Sequence, residues 1–462
     1  MKLRILYAIM LIEICNIQGE YMKFTKMSLV AALLIGSSAF AIDNVKVSGD
    51  AKAYYSTDDA KTNGIAAVGT HTASDSLFNA GSSAAQFAVG LGLTADLAKG
   101  VSAGAHMTVL TTLGVQGQLV NNVWEGTNGA TDTFIFDEAW VAATLGKTTV
   151  KLGRMELDTP LVFSEKWSIV ANTFEAGVVI NQDLPDTTLV GAYVGGSNGY
   201  SAVNTTFGNG NTAPAIGIAN RVQTGSGNST FSQFYNGAFA AAVVNNSFKP
   251  VVFQAWYYEA PQYLDAIWLQ ADLNMEGIMV GAQYTKVNYN KSDVLPIAAD
   301  ASNNAMAIMA GYALKDVATF KVAYSQTDTE TKSSLGLQAG QNLATFHNGA
   351  KSKLYTEAWW NYAYVTQPDT KAISASAAGS LAGVDLYAQY TTTTRGDNAA
   401  TVAVADVDMD EFTVTASKSV GPLDVTLAYI YTAADDLNDN TADGVVNGED
   451  FNTIQAYLTL NF

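Results

Sequence analysis

The 462-residue chain is short of cysteine (one), proline (eight), histidine (three) and positive charge, with 24 Lys and Arg against 42 Asp and Glu and a formal net charge of −18. Each shortage excludes something. A single cysteine, Cys15, rules out an internal disulfide framework or a thiolate metal site. Its predecessors Ile12-Glu13-Ile14 lack the small residue a lipoprotein signal needs. His71, His106 and His347 share no ligand spacing, so no zinc site is expected. The acidic balance opposes binding to nucleic-acid phosphates. The body of the chain has no run of about 20 apolar residues, so no transmembrane helix is expected there. Gly-rich runs such as Gly195-Gly196-Ser197 open no helix and do not read as phosphate loops.

What is present is apolar residue in quantity, 48%, with 39 Gly, 22 Tyr and 19 Phe. Mean hydropathy nonetheless sits close to zero, because apolar and polar residues are interleaved. A lipid-facing barrel hides from hydropathy plots in this way.

The amino terminus reads as an export signal. Met22-Lys23-Phe24-Thr25-Lys26 is a basic start, Met27 to Ile35 an apolar core, and Ala39-Phe40-Ala41 a cleavage site. Residues 22–41 are therefore expected to be a signal peptide, residues 1–21 an upstream extension from a mis-assigned start, and residues 42–462 the barrel. Removing 1–41 leaves 20 basic and 40 acidic side chains, a net of −20.

From Ile42 onward, segments of about 10 residues alternate apolar and polar positions, the period-two signal of a strand. Expected hairpins turn at Lys99-Gly100, Gly146-Lys147, Pro185, Glu276-Gly277 and Gly421-Pro422. Longer polar stretches at 57–83, 113–133, 196–232, 290–303, 328–350, 394–407 and 433–450 separate them. Short turns on one side and long loops on the other are the layout of an outer-membrane barrel. The final segment alternates through Ile454, Ala456, Leu458, Leu460 and Phe462. Nineteen segments can be counted, one too many for a barrel with both ends in the periplasm. The ambiguity lies in 328–393, and the expectation is an all-β, transmembrane antiparallel β-barrel of about 18 strands. Trp256-Tyr257-Tyr258, Trp359-Trp360 and Tyr429 are expected in aromatic girdles at the two membrane interfaces.

The run Lys151-Leu152-Gly153-Arg154-Met155-Glu156-Leu157-Asp158-Thr159-Pro160-Leu161, followed by Asn172-Thr173-Phe174-Glu175-Ala176, resembles the OprD-type porin superfamily. The strand pieces Leu354 to Trp360, Ala416 to Leu423 and Gln455 to Leu460 look closest to Opr-family major outer-membrane porins of the epsilonproteobacterial kind. This resemblance implies an 18-stranded, water-filled, homotrimeric barrel with an inward-folded third extracellular loop, here at about 156–171. The superfamily's substrate-specific members carry an Arg where that loop exits. Glu165-Lys166-Trp167-Ser168 has none, which points to an unspecific pore.

The expected function is passive diffusion of small hydrophilic solutes and ions, with cations preferred, across the outer membrane and in contact with its lipid. Arg154, Glu156, Asp158, Glu165 and Lys166 are the candidate constriction residues, because a narrow lumen screens charge poorly. A second candidate is Asp439 to Asp450, where Asp439, Thr441, Asp443, Asn447 and Asp450 with Gly444 follow the spacing of a calcium loop. No cofactor is required; calcium is the one expected ligand of that kind. The alternatives are a surface adhesin or structural barrel and, further off, a barrel-embedded hydrolase, which would need a Ser-His or Asp-His pair that the local sequence does not display.

Overall fold

In a computed structural model, described residues are 42–60, 76–79, 82–111, 113, 122–123, 133–166, 169–197, 232–261, 264–290, 301–328, 338–344, 351–396, 408–434 and 450–462. The strands are β1 Asp43–Asp58, β2 Ser83–Ala98, β3 Val101–Thr111, β4 Asn122–Val123, β5 Thr133–Leu145, β6 Thr148–Met155 and β7 Phe174–Asn181. They continue with β8 Thr187–Ser197, β9 Ser232–Asn245, β10 Val251–Ala260, β11 Leu264–Met275, β12 Ile278–Tyr289 and β13 Ala301–Leu314. The last are β14 Ala318–Thr327, β15 Thr370–Leu381, β16 Val384–Arg395, β17 Asp408–Val420, β18 Leu423–Ala434 and β19 Phe451–Asn461.

Eighteen of these form a closed antiparallel barrel. The two-residue β4 stands outside the ring: it pairs parallel with β2, while β3 pairs directly with β5. The ring closes where β1 meets β19, from Asp50 opposite Asn461 to Asp58 opposite Thr453. Closure leaves no free edge, so every wall strand satisfies its backbone on both sides, as a bilayer demands.

Turns of the expected kind join the strands at Lys99-Gly100, Gly146-Lys147, Glu276-Gly277 and Gly421-Pro422, with Asp186 at positive φ in the Pro185 turn. The ambiguous region resolves into a hairpin, β15 and β16, turning at Ala382-Gly383. The stretch before it, 351–367, joins no wall strand.

Alternation sorts each strand between two environments. Phe412 of β17 and Tyr429 of β18 are exposed, whereas Glu411, Thr413 and Thr432 are buried. Val89, Leu91, Leu152, Val280, Ile308 and Val322 extend the exposed apolar belt around the barrel. The girdle expectation is corrected by the same alternation. Tyr257 and Tyr429 point outward, but Trp256 and Tyr258 face inward and are buried, and Trp360 sits in the 351–367 stretch.

That stretch lies inside the barrel. It bonds to the inward-facing side chains Asp272, Gln283, Ser325, Gln389, Glu411, Thr432 and Gln455 of seven different wall strands. A segment can reach the inner face of so many strands of a closed ring only from within. Leu354, Ala358 and Val365 bury their apolar side chains against Trp256, Trp268 and Tyr289, giving the barrel an internal apolar core along β10 to β13.

Candidate functional site

β6 ends at Met155 and the connection to β7 begins with a tight turn. Asp158 bridges Phe163, and the Thr159 N–H and hydroxyl both donate to the Val162 carbonyl, at 3.1 and 2.6 Å. Pro160, with its fixed φ, suits the second position of such a turn. Gly153 permits the approach to it. Its φ is +124°, and a Cβ there would stand 2.9 Å from Trp140 Cα and closer still to the Ala139 carbonyl oxygen.

The turn is tied to two distant places. The Leu161 N–H donates to the Tyr258 hydroxyl at 3.4 Å, and the Leu161 carbonyl accepts from Leu343 N–H at 2.7 Å. Asn342 Nδ2 donates to the Phe163 carbonyl at 2.8 Å and to Glu165 Oε1 at 3.1 Å. Lys351 N–H also donates to Glu165 Oε1, at 3.2 Å. Further along, Ile169 is buried with Tyr54 of β1, Ala88 of β2, Leu110 of β3 and Ile135 of β5.

Between these elements lies a cavity of about 660 Å³. Glu156, Asp158 and Glu165 line it with Lys166, Lys351 and Lys353, and Phe163, Trp359, Trp360 and Tyr457 supply aromatic surface. The charges are paired. Lys166 Nζ lies 2.5 Å from Glu156 Oε2, and Lys353 bonds Asp158 while standing 4.9 Å over the Phe163 ring. Lys351 Nζ lies 4.8 Å over the Tyr362 ring.

Four of the five sequence candidates therefore meet at one cavity. Arg154 stands apart. It shares the alternating face of β6 with the exposed Leu152 and donates to the Phe136 carbonyl at 2.6 Å and to Glu175 at 2.9 Å. Sequence reading missed Lys351, Lys353, Trp359 and Trp360, which come from a segment with no strand periodicity. The adjacent acidic residue Glu357 has its pKa pushed up to about 8, chiefly by burial. Its Oε2 accepts from the N–H of Ser352 at 3.0 Å, and its Oε1 is enclosed without a partner among the described residues. Burial, with an added contribution from the Asp272 carboxylate it donates to, likewise raises the Tyr355 phenol.

Of the calcium candidates, Asp439, Thr441, Asp443 and Asn447 lie outside the described residues. Asp450 is described and accepts a bond from the Tyr431 hydroxyl. Trp167 and Ser168 also lie outside them.

Residues 28–358 match a family model described as Gram-negative porin. No curated protein matches the chain. Among solved structures, the chain resembles Pseudomonas aeruginosa OccK9 (OpdG), at 13% identity and TM-score 0.63 over 91% of this chain and 99% of that one. It resembles P. aeruginosa OccK8 (OprE) at 14% identity and TM-score 0.60, over 91% and 98%. P. aeruginosa OpdK, solved with vanillate, follows at 12% identity and TM-score 0.60, over 91% and 99%. With its closed 18-strand barrel, lipid-facing apolar belt and this match over most of its length, the chain belongs to the Gram-negative porin family of the outer membrane, and its barrel shares the fold of these Pseudomonas aeruginosa proteins.

Proposed function

We propose that this porin is a general diffusion pore for small hydrophilic solutes and ions, with a modest preference for cations. The third extracellular loop expected at about 156–171 is folded inward, and its described residues 156–166 form the constriction together with the 351–367 segment. Glu156, Asp158, Glu165 and Lys166 line the narrow part, opposite Lys351 and Lys353. The observation that carries this reading is the 660 Å³ cavity between the two segments, bounded by six charged side chains. Charged groups at a narrow place set which ions pass, because the lumen screens them poorly. Three carboxylates face three ammonium groups there, so the preference arises mainly from the acidic field of a mature chain of net charge −20.

Export through a signal peptide cleaved after Ala41, assembly as a homotrimer and kinship with the epsilonproteobacterial Opr porins belong to the same proposal. The spacing of Asp439 to Asp450 adds a calcium loop, for which calorimetry with calcium chloride is the test: no heat in the millimolar range removes it.

Planar-bilayer recordings of the purified protein in a potassium chloride gradient test the pore. Open steps grouped in threes, with a reversal potential of cationic sign, are expected. A barrel that gives no steps overturns the pore reading, and an anionic reversal potential overturns the preference.

A further inference from the structure

We infer that Glu411 is the positioning residue that holds the 351–367 segment in the lumen and thereby fixes the bore of the pore. This rests on the proposed pore, and it arises from one juxtaposition: a buried wall carboxylate facing three consecutive backbone N–H groups of that segment. Trp359 N–H donates to Oε1 at 2.7 Å, Trp360 N–H to Oε1 at 3.2 Å and Oε2 at 3.1 Å, and Asn361 N–H to Oε2 at 2.6 Å. Asn361 Nδ2 adds a bond to Oε2 at 2.8 Å and a second, also at 2.8 Å, to Thr432 on the neighbouring strand. Thr413 Oγ1, from β17 itself, donates at 3.2 Å.

Successive N–H groups converging on one point form a nest that favours an anion. Here the anion is supplied by the barrel wall and the nest by the inserted segment. Glu411 is 1% exposed and the donors that meet it are neutral. A carboxylate so enclosed is tolerable only while those donors stay in place. Among the other ties between segment and wall, the Tyr355 hydroxyl donates to the Asp272 carboxylate, a single bond, and the rest include neutral bonds such as Gln389 Nε2 to the Glu357 carbonyl and Gln283 Nε2 to the Lys353 carbonyl. Bonds to an ionised acceptor are about twice as strong as neutral ones.

Chemistry separates the variants. Glu411→Gln presents an NH₂ group to the three N–H donors and removes the charge. Glu411→Asp keeps it. Asn361→Asp breaks the contact from the segment's side by setting a second carboxylate against the first and leaves the wall intact. Heat-modifiable electrophoretic mobility confirms a folded barrel in each case. Bilayer steps of E411Q and N361D are expected to be about twofold larger than wild type or more, with acrylamide quenching of tryptophan fluorescence increased. E411D should stay near wild type in both. Folded E411Q and N361D with wild-type steps and quenching overturn the inference. If wild type itself yields no steps, the pore reading fails on its own; quenching then decides the anchor, supported by greater accessibility in E411Q and N361D and overturned by none.

Discussion

The ammonium of Lys353 bonds the carboxylate of Asp158, 195 residues earlier in the chain, and so ties the 351–367 segment to the turn that follows β6. Each side chain would be an ordinary surface charge by itself. Together they set two signs of charge side by side at the cavity.

Replacing Lys353 with Met leaves Asp158, Glu156 and Glu165 against one cation fewer. The cation-to-anion permeability ratio is expected to rise roughly two- to fivefold, the factor that about 0.5–1 kcal/mol gives at room temperature. Stability should change little, since a half-exposed pair contributes only ~0.2–1 kcal/mol. Reversal potentials read the ratio, and no shift would remove Lys353 from the constriction.

Arg154→Gln should leave conductance and selectivity at wild-type values, because its partner Glu175 and the neighbouring Leu152 belong to the outward face. Asp158→Asn, measured alongside, should lower the cation preference. Equal effects from both substitutions would put Arg154 in the pore after all.

The raised pKa of Glu357 has a sign. The docked carboxyl holds its proton up to about pH 8, whereas a solvated one loses it near 4.5. Docking is thus most stable below 4.5, weakens as pH climbs from there to about 8, and is flat beyond. Thermal midpoints followed by tryptophan fluorescence should decline across that window in wild type and decline less steeply in Glu357→Gln. A wild-type curve no steeper than the variant's would falsify the buried-acid reading.

Gly153→Val forces a β-branched residue into a backbone with φ of +124° and against the wall of β5. Strain of about 1–3 kcal/mol is expected. The temperature at which the compact barrel converts to the slower-migrating form on electrophoresis should drop, and an unchanged midpoint would show that β5 and β6 can part to admit the side chain.

Much of this was legible in the sequence, and for a reason. A barrel wall divides lipid from lumen at every residue, so period-two alternation writes the strands directly. The Gly421-Pro422 turn and the β17–β18 hairpin around it match the sequence reading. The Gly153-to-Leu161 run contains the turn at the cavity and two of its charged residues, Glu156 and Asp158, and the Glu165-Lys166 pair just beyond it supplies two more.

The alternation cannot say which face of a strand is which when both carry aromatics, so it places Trp256 and Tyr258 in a girdle although they are buried inside. Nor could it interpret 351–367. That segment has no period because it contacts many wall strands in succession rather than pairing with any one, and its anchor, Glu411, looks like any polar position of β17.

Alternation and turn chemistry are local properties of the chain, and they are enough to write a membrane barrel into the sequence. What fills that barrel depends on contacts made only on folding. The lumen is assembled from contacts such as Asp158 with Lys353 and Asn361 with Glu411, between residues far apart in sequence, and no local pattern records which of them will meet.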